Sequence, residues 1–303
     1  MATEWLDLPA PPALPGLFAR AAVRRGMRGT ALPELGVRCQ VSVDPGHLER
    51  YRALCGFTDK GLLPPTYPHI LAFPLQMRLL TDPRFPFPLL GLVHLENRIR
   101  VLRPLGGLGP FSASVAVENL QPHEKGATFS LITRLEDQLG LVWEGDSRIL
   151  FRGLRLPGPP APRTGEDSLP LAHLDQWYAS ADIGRRYARV AGDYNPIHLS
   201  ALSARAFGFP RAIAHGLWNK ARCLAALEIH LPAAGYEVDV RFQKPVLLPA
   251  EVTLLASAAG PAGQLALRGK DDTPHMAGSW RPLAWLLRQR AAGGTIGGSR
   301  RAP

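Results

Sequence analysis

Cysteine is scarce: Cys39, Cys55 and Cys223 are the only three among 303 residues. An odd, sparse set excludes a disulfide scaffold and a cysteine-rich zinc site, and it suits a reducing cytoplasm. Long hydrophobic runs are missing. No stretch approaches the roughly 18 apolar residues of a spanning helix, which excludes a helical integral membrane protein. The start, Met1-Ala-Thr-Glu4-Trp-Leu-Asp7, carries acids and no apolar core, so it does not read as a secretory signal. Basic runs of five or more are also absent, and no nucleic-acid motif is visible, so no nucleic-acid partner is expected.

Apolar residues make up 46% and charged residues 20% of the chain, an ordinary globular balance that excludes wholesale disorder. The length suits about two domains at roughly 150 residues each. Net charge is +10, and with only five lysines, arginine supplies most of the 35 basic side chains. Guanidinium forks fit phosphate and carboxylate, and the scattered arginines suit a polyanionic small molecule.

The clearest break is Leu156-Pro-Gly-Pro-Pro-Ala-Pro-Arg-Thr-Gly165, whose prolines cannot donate ladder hydrogen bonds and stiffen the chain. It divides the sequence into an N-terminal extension (1–34), a first domain (35–155), a linker (156–170), a second domain (171–290) and a tail (291–303) expected to be disordered. Leu14 to Arg28 in the extension is amphipathic. The two domains read as diverged copies. Arg50–Phe57 aligns with Arg186–Asp193 at an offset of 136, and Pro68-His69-Ile70 with Ala214-His215-Gly216 at 146. Val93, Val101 and Pro104 align with Val238, Val246 and Pro249 at 145. The second copy holds extra residues between Asp193 and His215.

Within the second copy, Ser180 to Val190 suits a helix with Ser180 as cap. Ile213 to Ile229 is the longest helical candidate, with Leu217, Ala221, Leu224 and Leu227 on one face. Strand patterns follow at Glu237–Phe242, Glu251–Ala256 and Gln264–Arg268. In the first copy, Phe111–Glu118, Thr128–Leu135 and Leu141–Phe151 alternate similarly, with a hairpin turn at Glu136–Gly140. Strands after one long helix imply α+β architecture.

The stretch that carries chemistry is Tyr187-Ala-Arg-Val-Ala-Gly-Asp193-Tyr-Asn195-Pro-Ile-His198, then Gly208-Phe-Pro-Arg-Ala-Ile-Ala-His215-Gly216. A carboxylate and an imidazole five residues apart across a proline turn can converge, and together they suit activation of water. Asn195 both gives and accepts hydrogen bonds. Gly216 sits near the start of the long helix, where unpaired amides and close approach suit an oxyanion. Read alone, Asp-Tyr-Asn-Pro is also a common turn. A metal reading of Asp-x-Asn-x-x-His lacks a cysteine or a second clustered histidine. His69 and His94 read as packed and strand residues, His215 as a support for its turn, and Phe207, Phe209 and Trp218 as core or tunnel wall.

These residues are similar to the signature of the MaoC-like, or R-specific, enoyl-CoA hydratases. Tyr187, Gly192, Asp193, Asn195, Pro196, Ile197, His198, Gly208, Phe209, His215 and Gly216 match in order; Ser200 stands where the family often has Asp. The motif covers about 40 residues, and the duplicated layout extends the likeness over about 35–285. The resemblance implies a double hot-dog, two long helices each wrapped by an antiparallel sheet, with a degenerate first copy. Phe57 stands at the place of Asp193, and nothing there matches Asn195 or His198. It further implies reversible hydration of trans-2-enoyl-CoA to (3R)-3-hydroxyacyl-CoA, with Asp193 and His198 handling water, Asn195 placing the water or loop, and Gly216 stabilising the enolate. No metal or redox cofactor is implied. Arg211, Lys220, Arg241 and Lys244 are expected at the tunnel mouth to meet CoA or phosphopantetheine phosphates. A dehydratase acting on acyl carrier protein and a non-catalytic acyl-thioester-binding protein are the alternatives. One chain supplies both halves, and a homodimer remains open.

Overall fold

Alternating apolar residues build most of the strands. In β2 (Leu35–Val41), Leu35, Val37, Cys39 and Val41 are buried while Arg38 and Gln40 face out. The computed structural model describes residues 3–160 and 169–283. Ahead of β2 lie β1 (Glu4–Leu8) and α1 (Leu14–Val23). The first repeat continues with α2 (Pro45–Cys55), α3 (Tyr67–Leu80), β3 (Val93–Val101), β4 (Phe111–His123), β5 (Gly126–Asp137) and β6 (Gly140–Phe151). The second comprises β7 (Ala172–Ala179), α4 (Ile183–Ala191), a 3-10 turn (Pro196–His198), α5 (Ala201–Arg205), α6 (Gly216–Ala226), β8 (Tyr236–Phe242), β9 (Ala250–Ala256), β10 (Gly263–Arg268) and β11 (Pro274–Pro282).

All eleven strands form one sheet in the order β1-β2-β4-β5-β6-β3-β8-β11-β10-β9-β7. Apart from β1, which runs parallel to β2, every pairing is antiparallel. The order after β1 is a palindrome of the two repeats about the β3–β8 seam. This is the double hot-dog, drawn as one continuous sheet. The α3 helix buries ten of its 14 residues and lies against β2, β4 and β5. The α6 helix buries Trp218, Ala221, Cys223 and Leu224. The core is a single cluster running through both repeats.

Helix ends follow local chemistry. At α2, Asp44 accepts from the His47 amide, Pro45 sits in the first turn, and Gly56 closes the helix at φ 80°. Gly192 closes α4 at φ 76°, so the offset of 136 holds structurally. Asp182, rather than Ser180, caps α4. The helix expected over 213–229 is shorter. Ile213 bridges Leu247, and the Ala214 N–H reaches the Val246 carbonyl, so both are held as extended chain.

The offset of 145 is corrected. The bridges Leu62↔Gly106 and Ile213↔Leu247 are equivalent and set Gly106 on Leu247, an offset of 247 less 106, or 141. Seam ion pairs repeat at the same offset: Arg241 with Glu96 at 3.1 Å, and Arg100 with Glu237 at 2.8 Å. His69 likewise is not the counterpart of His215, because it lies inside α3 whereas His215 precedes α6. The extra residues of the second copy form the 3-10 turn and α5. The tail and residues 161–168 of the linker lie outside the described residues.

Candidate active site

The α4 helix delivers its left-handed cap, Gly192, directly before Asp193. The chain then folds on itself. The Tyr194 N–H donates to the Gly192 carbonyl, and the Asn195 N–H donates to Asp193 Oδ1 at 3.1 Å. Asn195 Oδ1 accepts from the Ile197 N–H at 3.4 Å and starts the 3-10 turn that carries His198. Asn195 therefore orders the loop. Glycine is required at 184, where a Cβ would collide with the His198 carbonyl.

His198 Nδ1 lies 2.8 Å from the Ile213 carbonyl. A carbonyl only accepts, so Nδ1 carries the proton and Nε2 keeps a lone pair. Burial lowers the His198 pKa, against the charge of Asp193, which raises it. The ring is thus a neutral base near neutrality. His215 stacks on it with ring centroids 3.6 Å apart. His215 Nε2 donates to the Asp193 carbonyl at 3.0 Å and sits 3.8 Å from Asp193 Oδ2. Burial, then the neighbouring His198 charge, push His215 well down. Two protonated rings at this separation would repel strongly in a site of low polarisability.

Asp193, His198 and His215 offer ligand atoms within 4.8 Å of one another. This supplies the second histidine that the sequence reading lacked. The fit to a metal is poor, however. Nε2 of His215 already donates to a backbone carbonyl, and the near-parallel rings, at 24°, aim their in-plane lone pairs alongside one another rather than at one point.

Gly216 is the first residue of α6, where helix geometry leaves the amide without an intrahelical acceptor. A Cβ there would sit 2.9 Å from the Phe242 ring. The Asp193 side chain is 33% exposed, and the two histidines are buried. The site thus combines a half-open carboxylate, a neutral imidazole and a helix N-terminal amide. Such a set can take a proton from water, return one to carbon and hold a developing oxyanion.

The expected phosphate contacts divide. Lys220 is fully buried, a correction to its assignment at the tunnel mouth. Its Nζ donates to Asn97 O at 2.8 Å, Asn97 Oδ1 at 2.7 Å and Val238 O at 3.3 Å. Burial pulls its pKa down to about 7, opposed by Asp239 and Glu237. Three acceptors match the three N–H bonds of an ammonium group. It ties α6 to β3 and β8. Arg211 and Lys244 are exposed, and Arg241 is exposed while paired with Glu96. Trp218 is buried and donates to the Leu54 carbonyl, whereas Phe207 is 39% exposed and so not core. Sequence reasoning gave His215 only the support of its turn; its stacking on His198 was not legible from spacing. Phe242 over Gly216 carried no sequence signal.

Comparison with known proteins places the chain in a family. A sequence model of the MaoC like domain matches residues 163–266. The 3-hydroxyacyl-thioester dehydratase X of Mycobacterium tuberculosis is 35% identical over 247 residues, 80% of this chain and 88% of that protein. The chain belongs to the MaoC-like dehydratase family. Among solved structures, HtdX of Mycobacterium tuberculosis aligns at TM-score 0.71 and 34% identity, over 82% of this chain and all of that one. A MaoC-like dehydratase from Phytophthora capsici aligns at TM-score 0.70 and 21% identity, over 82% of this chain and 94% of that one, a likeness of fold.

Proposed function

We propose that the chain is a hydro-lyase interconverting (3R)-3-hydroxyacyl and trans-2-enoyl thioesters, with CoA esters as substrates. The observation that carries the reading is the neutral His198 Nε2 beside the Asp193 carboxylate, with Phe57 in the equivalent place of the first repeat. The name of the Mycobacterium tuberculosis relative supports it. In hydration, water oxygen bonds to C3 while His198, with Asp193 orienting the water, takes its proton. The C2–C3 π electrons move onto the thioester oxygen, where the Gly216 N–H holds the enolate. The electron pair then returns to C2, which accepts the proton that His198 took from water, and the imidazole is neutral again. Each step uses the side chains of Asp193 and His198 and the backbone N–H of Gly216. Arg211, Arg241 and Lys244 would meet the carrier phosphates.

The test follows loss of enoyl absorbance with crotonyl-CoA and a C8 to C12 trans-2-enoyl-CoA, with chiral analysis of the product. His198→Ala and Asp193→Asn should each lower kcat by about 10²–10⁴-fold, the range of a lost general acid–base group, while the fold survives. Near-normal turnover in both would end the assignment. The net charge of +10 favours one second reading, a dehydratase that takes its substrate on an acidic acyl carrier protein. Comparing kcat/KM on the two carriers decides between them. Failure on both would leave an acyl-thioester-binding protein.

A further inference from the structure

The N-terminal extension belongs to neither repeat; it is anchored on the first and reaches the Asp193 loop of the second. β1 pairs in register with β2 from Glu4↔Leu35 to Leu8↔Cys39. The far end of α1 is tied down by Arg24, which donates to the Asp82 and Phe85 carbonyls. Between these anchors α1 shows two faces. Leu17 and Ala21, one turn apart, are buried. Leu14 and Phe18, also one turn apart, lie against the loop that bears Asp193. A Cβ on Gly192 would sit 2.5 Å from Leu14 Cδ1 and 3.4 Å from Phe73 Cδ1. The Phe18 ring meets Tyr194 edge to face at 6.3 Å.

The repeat supplies an internal control. Gly56 is the counterpart of Gly192, and the space behind it is filled by Arg222 of α6, whose Nη1 also donates to the Cys55 carbonyl at 3.3 Å. Phe73 of α3 does the corresponding work behind Gly192. Leu14 and Phe18 are additions with no counterpart among the contacts recorded at Gly56. Both lie against the loop that holds the carboxylate.

We propose that Leu14 and Phe18 are positioning residues for Asp193, so that α1, and not the β1 half of the β1–α1 strap, is a working part of the active site. The inference rests on the hydro-lyase reading for its kinetic consequence. Asp193 follows Gly192 directly, and its loop is held by the Asn195 N–H on Oδ1 and by His215 Nε2 on the Asp193 carbonyl. The strap adds the apolar contacts at Gly192 and Tyr194 that keep the 192–195 segment from relaxing outward. A displacement of about 1 Å at a reacting group can cost on the order of 10²-fold in rate.

The test uses the full chain with Leu14→Ala/Phe18→Ala, and Trp5→Ala as control. Trp5 packs on Gly36, so its loss loosens β1 on β2 while the α1 face against the loop stays in place. Leu14→Ala/Phe18→Ala should lower kcat about tenfold or more with KM within about threefold. Leu14→Met/Phe18→Tyr should restore most of it. Trp5→Ala should keep kcat within about twofold even where its melting temperature falls as far. Amide hydrogen exchange over residues 192–198 should quicken in the first variant and not in the control. A loss of kcat that merely follows melting temperature in both variants, or unchanged exchange over 192–198, overturns the proposal. Absence of turnover in the unsubstituted chain would instead defeat the hydro-lyase reading, and the exchange measurement would still decide the role of the strap.

Discussion

Acidification should destabilise this protein well above the pH at which carboxylates titrate. Four histidines near the centre have depressed pKa values: His69, His94, His198 and His215. Burial is the largest cause for each. His69, 8% exposed, is pulled to about 3, and its Nδ1 is satisfied by Gln76 at 3.2 Å. The unfolded chain takes up protons near pH 6.5 while the native rings stay neutral, so stability rises with pH and is lost as pH falls below about 6.5. At pH 5, 1.5 units below the unfolded value, each ring that remains neutral in the native state costs about 2 kcal/mol. His69 and His94, held at about 3 and about 4, together give about 4 kcal/mol, a large share of a typical 5–15 kcal/mol. His198 and His215 act in the same direction. Urea denaturation between pH 7.5 and 5.0 measures the drop, in a window that largely avoids carboxylates with ordinary values near 4. His69→Gln should shrink the pH-dependent loss by about 2 kcal/mol. A flat profile over this window, or an undiminished loss in His69→Gln, would refute the account of neutral buried rings.

Three further outcomes follow from the site. Lys220→Met should cost about 2–3 kcal/mol by leaving buried acceptors of Asn97 and Val238 unpaired, while KM for the thioester changes little; a large KM effect with no melting shift would restore Lys220 to the substrate. Reversing Arg211 and Lys244 to Glu should raise KM for CoA esters and flatten its dependence on salt, read by steady-state kinetics at 50 and 300 mM salt. Prolonged dialysis against a chelator should leave kcat unchanged, because the His198 and His215 rings stack rather than converge; a loss restored by zinc would make the three-residue cluster a metal site.

Much of both halves was legible because the signals are local. The period-2 stretch at Glu237–Phe242 became β8, and the Glu136–Gly140 turn closed β5 onto β6 at Asp137↔Gly140. The dyad was legible because Asp193 and His198 share one short loop. Long-range events were not. Residues Ile213 and Ala214 look helical by composition, but hydrogen bonds to the 246–247 segment hold them extended. Lys220 looks like a surface cation, and only the seam shows that it is enclosed. β1 is five residues of mixed polarity and exists because β2 offers an edge. The correct repeat offset was in fact written in the sequence. Glu-x-x-x-Arg occurs at 96–100 and again at 237–241, and these are the residues that pair across the seam.

That offset has a further consequence at the seam. Adding 141 to 98 gives 239, and Arg98 and Asp239 are register partners in β3 and β8. They therefore lie on the pseudo-two-fold axis, each opposite its own counterpart. In a symmetric homodimer of one repeat, that position would set a residue against itself, and a charged residue there would meet its like. The fused chain sets opposite charges there instead, with Arg98 Nη2 3.1 Å from Asp239 Oδ2. Divergence at this point is possible only because the halves are covalently joined. Asp239→Arg recreates the like-charge pair of a symmetric seam and should destabilise by about 1 kcal/mol or less, since like charges directly opposite are unfavourable and the Arg98 side chain is 40% exposed. Arg98→Asp added to it reverses the pair and should recover most of the loss, and high salt should narrow the difference between the two variants. If the double variant is no more stable than Asp239→Arg alone, the axis pair does not couple the repeats. The seam would then rest on its two flanking ion pairs and on Lys220.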